Sequence, residues 1–100
     1  MFKVSGVRTR YFEFEAPDNG RVLHIEPPKL KTMNRLGELQ KGSHTIKDIA
    51  AAVAKLISKN REGRKVTADN VMEWMDSDQV AAFDKAYLSW VRNEKQNDPN

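Results

Sequence analysis

Both tryptophans and two well-capped helix starts fall within a single stretch, Val66 to Val91, VTADNVMEWMDSDQVAAFDKAYLSWV. Val80, Phe83, Tyr87, Trp90 and Val91 recur at i, i+3, i+7, i+10 and i+11, one face of a helix. Asp76 or Ser77 can cap that helix, because either side chain accepts from the free amides of a first turn. Asp78 then lies near the positive end of the helix dipole. Just upstream, Thr67 can cap a shorter helix carrying Val71, Met72, Trp74 and Met75. Two helices meeting at Met75–Asp78 make a corner, where each large ring can bury about 150–250 Å². The stretch reads as a core with a docking face, and no catalytic reading comes from it.

Upstream of this pair the chain changes period. Phe2–Val7 and Arg10–Glu15 read as short strands, the second placing Phe12 and Phe14 on one face and Tyr11, Glu13 and Glu15 on the other. Ala16-Pro17-Asp18-Asn19-Gly20 is turn chemistry: proline presets φ, and Asn-Gly accepts positive φ. Arg21–Glu26 returns as a strand, giving a hairpin or three-stranded meander that needs helices on one face. Pro27-Pro28 ends it, since proline cannot donate to a ladder.

A first helix follows from Pro28, with Leu30, Met33, Leu36 and Leu39 as its apolar stripe and Lys29, Lys31, Arg35 and Lys41 on its other face. Gly37 weakens it, by about 1 kcal/mol against alanine. Thr45 with Asp48 opens a second helix, roughly 45–59, whose stripe is Ile46, Ile49, Ala50, Val53, Leu56 and Ile57. Asn60–Lys65 is a polar loop, and the helix pair of Val66–Val91 follows. The expected architecture is therefore α+β: a small N-terminal antiparallel hairpin or meander (1–26) packed on about four helices (28–93), with a frayed tail (94–100).

At 100 residues, 39% apolar and 31% charged, this is the composition of one soluble domain. No apolar run is long enough for a transmembrane helix, and the start MFKVSGVRTRYFEFE has no signal-peptide h-region. Cysteine is absent, which removes disulfides, thiolate metal sites and cysteine nucleophiles. The net charge of +3 is unevenly spread: residues 1–65 hold 14 Lys/Arg against 7 Asp/Glu, a net +7, and residues 66–100 hold 3 against 7, a net −4. Such polarity suits attraction between copies, or a polyanion on the basic part.

Chemistry is otherwise hard to place. His24 and His44 have no partner at i+3 or i+4, which argues against a metal site. Asp76-Ser77-Asp78 opens like a calcium loop, but Val80 and the lack of the later glycine and glutamate break the pattern. The glycines are isolated, so there is no phosphate loop, and no serine has a neighbouring base. Helix 45–59 followed by helix 67–76 imitates a helix-turn-helix. Its turn is too long, though, and VTADNVMEWMD contains no cation for reading DNA. The reading is non-enzymatic and without cofactor.

EPPKLKTMNRLGEL (26–39), AVAKLISKNREGRKVTADNVMEWMDSDQVAAFDKAYLSWV (52–91) and NDPN (97–100) together resemble the tail assembly chaperones of long-tailed bacteriophages with non-contractile tails. The resemblance implies a protein that binds the helical tape-measure protein, helps it recruit the tail-tube protein, works in the host cytoplasm and is absent from the finished virion. It also implies, for many members, a longer form made by frameshifting. No binding motif carries over residue by residue. The candidate partner-binding side chains are Met33, Met72 and Met75, flexible apolar groups suited to adaptable surfaces, with Trp74, Trp90, Lys29, Lys31 and Arg35. Self-association into a ring or spiral is compatible with the charge polarity. The alternatives are a basic nucleic-acid-associated module and a structural tail or head-tail protein.

Overall fold

Alternation in the first strand and the proline turn after it produce an antiparallel hairpin in the computed structural model, which describes residues 1–6, 10–42 and 44–93, and the side chains of all of these but 36–41 and 93. Strand β1 is Phe12–Glu15 and β2 is Val22–Ile25, paired so that Phe12 faces Ile25 and Phe14 faces Leu23. All four of those side chains share the inner face, while Glu13 and His24 pair on the outer one. Gly20 closes the turn at φ 71°, a backbone region that glycine enters without steric cost.

The expected strand at Phe2–Val7 does not form. Val4–Gly6 makes a single 3-10 turn, with Phe2 and Val4 exposed, and Val7 lies outside the described residues. Without a buried face, nothing holds that segment against the sheet, which has two strands among the described residues. What flanks β2 instead is the loop after the second helix. Ile25 forms an isolated bridge with Asn60, through Glu26 N–H to the Lys59 carbonyl (2.8 Å) and Arg61 N–H to the His24 carbonyl (2.9 Å).

Four helices follow: α1 (Leu30–Lys41), α2 (Ile46–Ser58), α3 (Ala68–Trp74) and α4 (Ser77–Asn93). The 94–100 tail lies outside the described residues. The caps explain the starts. Thr45 and Asp48 form a reciprocal capping box on α2, and Thr67 and Asn70 do the same on α3. Asp76 caps α4: its carboxylate accepts the Gln79 N–H (2.8 Å), and the Gln79 side chain accepts the Asp76 N–H (2.9 Å). Helix α1 has no side-chain cap at Lys29 and runs through Gly37. Its expected apolar stripe is not a buried one at its start, since Leu30 is 87% exposed; the side chains of Leu36 and Leu39 lie outside the description.

The core forms where the hairpin's inner face meets α2, α3 and α4. Leu23, Ile25, Val53, Ile57, Val71, Phe83 and Tyr87 are among its buried members. Phe12 inserts among three rings of α4, with centroids 6.0 Å from Phe83, 5.5 Å from Tyr87 and 5.5 Å from Trp90. The first two contacts are edge-to-face, the arrangement favoured by the ring quadrupole. The Tyr87 hydroxyl donates to the Glu26 carbonyl (3.2 Å), tying α4 to the end of the hairpin, and burial raises its pKa. One turn further on, at the C-terminal end of α4, Arg10 lies 4.3 Å above the Trp90 ring and donates to the carbonyls of Trp90 and Val91. A cation at a helix C-terminus opposes the negative end of the dipole.

Candidate docking site

The apolar stripe of α2 is longer than the surface available to cover it. Ala50, Val53, Ala54, Leu56 and Ile57 are buried, but Ile46 is 76% exposed and Ile49 37%. The α3–α4 corner approaches this uncovered end without closing over it. Met72, 48% exposed, and the half-buried Met75 and Val80 face Ile46 and Ile49 across a groove of about 510 Å³. The α4 capping box fixes the corner, so the groove's far wall is set by local hydrogen bonds.

The groove's charged lining is acidic. Asp76 and Asp84 line it and no lysine or arginine does. Asp84 is half-buried, and that loss of water raises its carboxyl pKa. An apolar floor with carboxylates on its edge fits an apolar helical face with a cation beside it.

The structure does not gather the candidate side chains expected from sequence in one place. Met72 and Met75 meet in the groove. Trp74, half-buried on the same helix, packs instead against Phe14 at 6.4 Å and lies under the Arg64 guanidinium at 5.3 Å. Trp90 is half-buried against the aromatic core beneath Arg10. Lys31 and Arg35 line a separate cavity beside α1, Lys29 is exposed at the N-cap of that helix, and Met33 is half-buried on it.

Spacing puts Ile46, Ile49 and Val80 on apolar helix faces and does not show that they border a groove. The available signal was length: α2's stripe starts one turn before the short α3 can cover it. The outer face of the hairpin carries a polar cluster that spacing along the chain could not reveal. His24 Nδ1 sits 2.6 Å from Glu62, whose other oxygen accepts the His24 backbone N–H at 2.7 Å. Glu62 is held below the usual carboxylate range, first by that backbone N–H. Arg61 Nη2 lies 3.3 Å from the same ring nitrogen, so Glu62 and Arg61 together hold the orientation of the imidazole. Glu13 approaches Nε2 at 3.7 Å, and among the described residues no set of three potential ligands converges on a metal position.

Comparison with known proteins finds no matching family model, no matching curated protein and no matching solved structure. Among the described residues, no helix is long and apolar enough to cross a membrane.

Proposed function

We propose that this chain is a non-enzymatic assembly chaperone of a long-tailed phage with a non-contractile tail. Its groove between α2, α3 and α4 holds a helical segment of the tape-measure protein and so helps that protein recruit the tail-tube protein. The observation that carries the reading is the uncovered apolar groove with carboxylates on its edge. The sequence resemblance over residues 26–39, 52–91 and 97–100 supplies the biological setting.

The magnitudes suit a reversible contact. Full burial of an isoleucine or methionine contributes about 1.5–3 kcal/mol, and the partly covered Ile49 and Met72 gain less than that. Association itself costs about 4–15 kcal/mol. A groove of three or four such side chains therefore holds a helix loosely and releases it, as a protein absent from the finished particle must do. Met72 and Met75 adapt to different apolar sequences, which a partner with many related helical stretches requires.

Co-expression with the very long helical protein of the same tail tests the reading. Co-purification of the pair is the expected result. Recovery of the chain alone, with the long protein soluble and unbound, removes it.

A further inference from the structure

A second concave surface lies at the opposite end of α2 from the groove. Lys31 and Arg35, one turn apart on α1, face Lys55 and Lys59, one turn apart at the end of α2, across a cavity of about 410 Å³. That volume is within the range of small-ligand pockets, about 300–1,000 Å³. The floor is apolar, made by Pro28, Leu56 and the edge of Tyr87. Glu26 is the one acid lining it.

We propose that this cavity binds an acidic peptide segment, in which two or more carboxylates flank an apolar side chain. Three observations converge on it. None of the four cations has an ion-pair partner among the described residues. On α1 the two cations stand at i and i+4, a like-charge spacing that destabilises a helix, and they face Lys55 in the last turn of α2 and Lys59 at its C-cap. Lys31 also sits in the first turn of α1, the positive end of the dipole, where no acid offsets it. The fold thus concentrates positive charge around an apolar floor with little internal compensation, and an anionic partner relieves all three.

The lining favours a peptide over a nucleic acid. Base stacking needs an exposed ring, and the one ring here, Tyr87, is 1% exposed with its hydroxyl committed to the Glu26 carbonyl. The half-buried Pro28 instead offers a contact for an aliphatic side chain. Arg35 presents a planar fork matched to a carboxylate, and the lysines supply mobile charges around it. This site shares no side chain with the groove and does not depend on the chaperone reading.

The test uses the full chain and three fluorescent probes: the peptide Glu-Leu-Glu-Leu-Asp, its Gln-Leu-Gln-Leu-Asn counterpart, and an oligo-dT strand. Anisotropy at low and physiological salt is expected to show binding of the acidic peptide, stronger at low salt, and neither comparable binding of the neutral peptide nor of oligo-dT. The exposed double variant Lys55→Glu/Lys59→Glu, checked for fold by circular dichroism, is expected to lose at least about tenfold in affinity, the equivalent of one charge-assisted contact. Lys47→Glu, at the far end of α2, is expected to bind like the wild type. No binding of the acidic peptide, or equal binding by the double variant, overturns the proposal. So does tighter binding of oligo-dT that the double variant abolishes. Self-association of the wild type in sedimentation, lost in the double variant, also overturns it by making a second copy the occupant.

Discussion

Glu62 holds His24 at two points across 38 positions of chain, accepting its backbone N–H at 2.7 Å and facing its ring Nδ1 at 2.6 Å. The contact pins the loop after α2 to the outer face of the hairpin, beside the Ile25–Asn60 bridge. It makes part of the fold's stability dependent on an ionised carboxylate.

That dependence has a definite sign. The Glu62 carboxyl is depressed in the folded state, first by the His24 N–H, and Asp18 is depressed by its paired hydrogen bonds from Arg64. A depressed carboxyl contributes stability that is fully present above its unfolded pKa and is lost as pH falls through its folded value. Thermal unfolding followed from neutral pH to well below 4.5, the ordinary value for Glu62, is expected to show a falling melting temperature. Glu62→Gln is expected to be less stable at neutral pH and to lose less on acidification. Parallel curves for the two proteins would show that the contact carries no stability.

Tyr87 anchors the aromatic core and the hairpin end at once. Tyr87→Ala is expected to cost about 3–5 kcal/mol, as for other buried aromatic truncations. Tyr87→Phe keeps the ring and loses only the hydrogen bond to Glu26, so about 0.5–1.5 kcal/mol is expected. Urea denaturation of the two variants separates the contributions; equal losses would place most of the effect in the hydroxyl.

Asn60 is the one buried polar side chain among the described residues, and it is fully used. Its amide donates to the carbonyls of Ile57 (2.7 Å) and Arg64 (2.8 Å), and its oxygen accepts the Arg64 N–H (2.9 Å). Asn60→Leu, similar in size, leaves those backbone groups unpaired at about 1–3 kcal/mol each where they stay buried. Chemical denaturation is expected to show a larger loss for Asn60→Leu than for Asn60→Asp, which keeps the acceptor. A neutral effect of Asn60→Leu would mean that water replaces the amide.

The hairpin and all four helices were legible in the sequence because each is signalled locally. Alternation at Phe12 and Phe14, the Pro17–Gly20 turn, the Thr45 and Thr67 capping boxes and the α4 ring spacing need no tertiary information. Phe2–Gly6 buries no side chain against the hairpin, and Val4–Gly6 takes a 3-10 turn in place of the expected strand. The aromatic rings separated by tertiary contact: Phe14 and Arg64 take Trp74, while Met72 on the same helix faces the groove. Periodicity identifies an apolar face and cannot say where its cover ends, which is why Ile46 and Ile49 read as core. The bridge of Asn60 to Ile25, the hold of Glu62 on His24 and the facing of Lys55 and Lys59 by α1 depend on contacts with distant segments and have no local signal.

Burial of Asp84 at the groove edge links the stability of the free protein to pH. Its folded pKa is raised by burial, so ionisation is penalised in the fold above that pKa and the penalty disappears as pH falls below the unfolded value. Asp84→Asn is expected to raise the melting temperature of the free protein at neutral pH, with the gain vanishing in acid. The same variant is expected to bind a cationic amphipathic helix more weakly. A variant that is neither more stable at neutral pH nor weaker in binding would remove the electrostatic part of the groove's role.

The proposed occupant of the groove between α2, α3 and α4 is a helix of the long tail protein. Calorimetric titration of the wild type, Ile46→Lys and Met72→Lys with an apolar, lysine-flanked helical fragment of that protein tests it most directly. Ile46 is 76% exposed and Met72 48%, so both variants are expected to keep the wild-type circular dichroism and to shift the melting temperature little. Each is expected to weaken binding by at least about tenfold, through a lost apolar contact and a charge opposing the fragment's own lysines. Wild-type affinity in both variants, with the fold intact, would contradict the account.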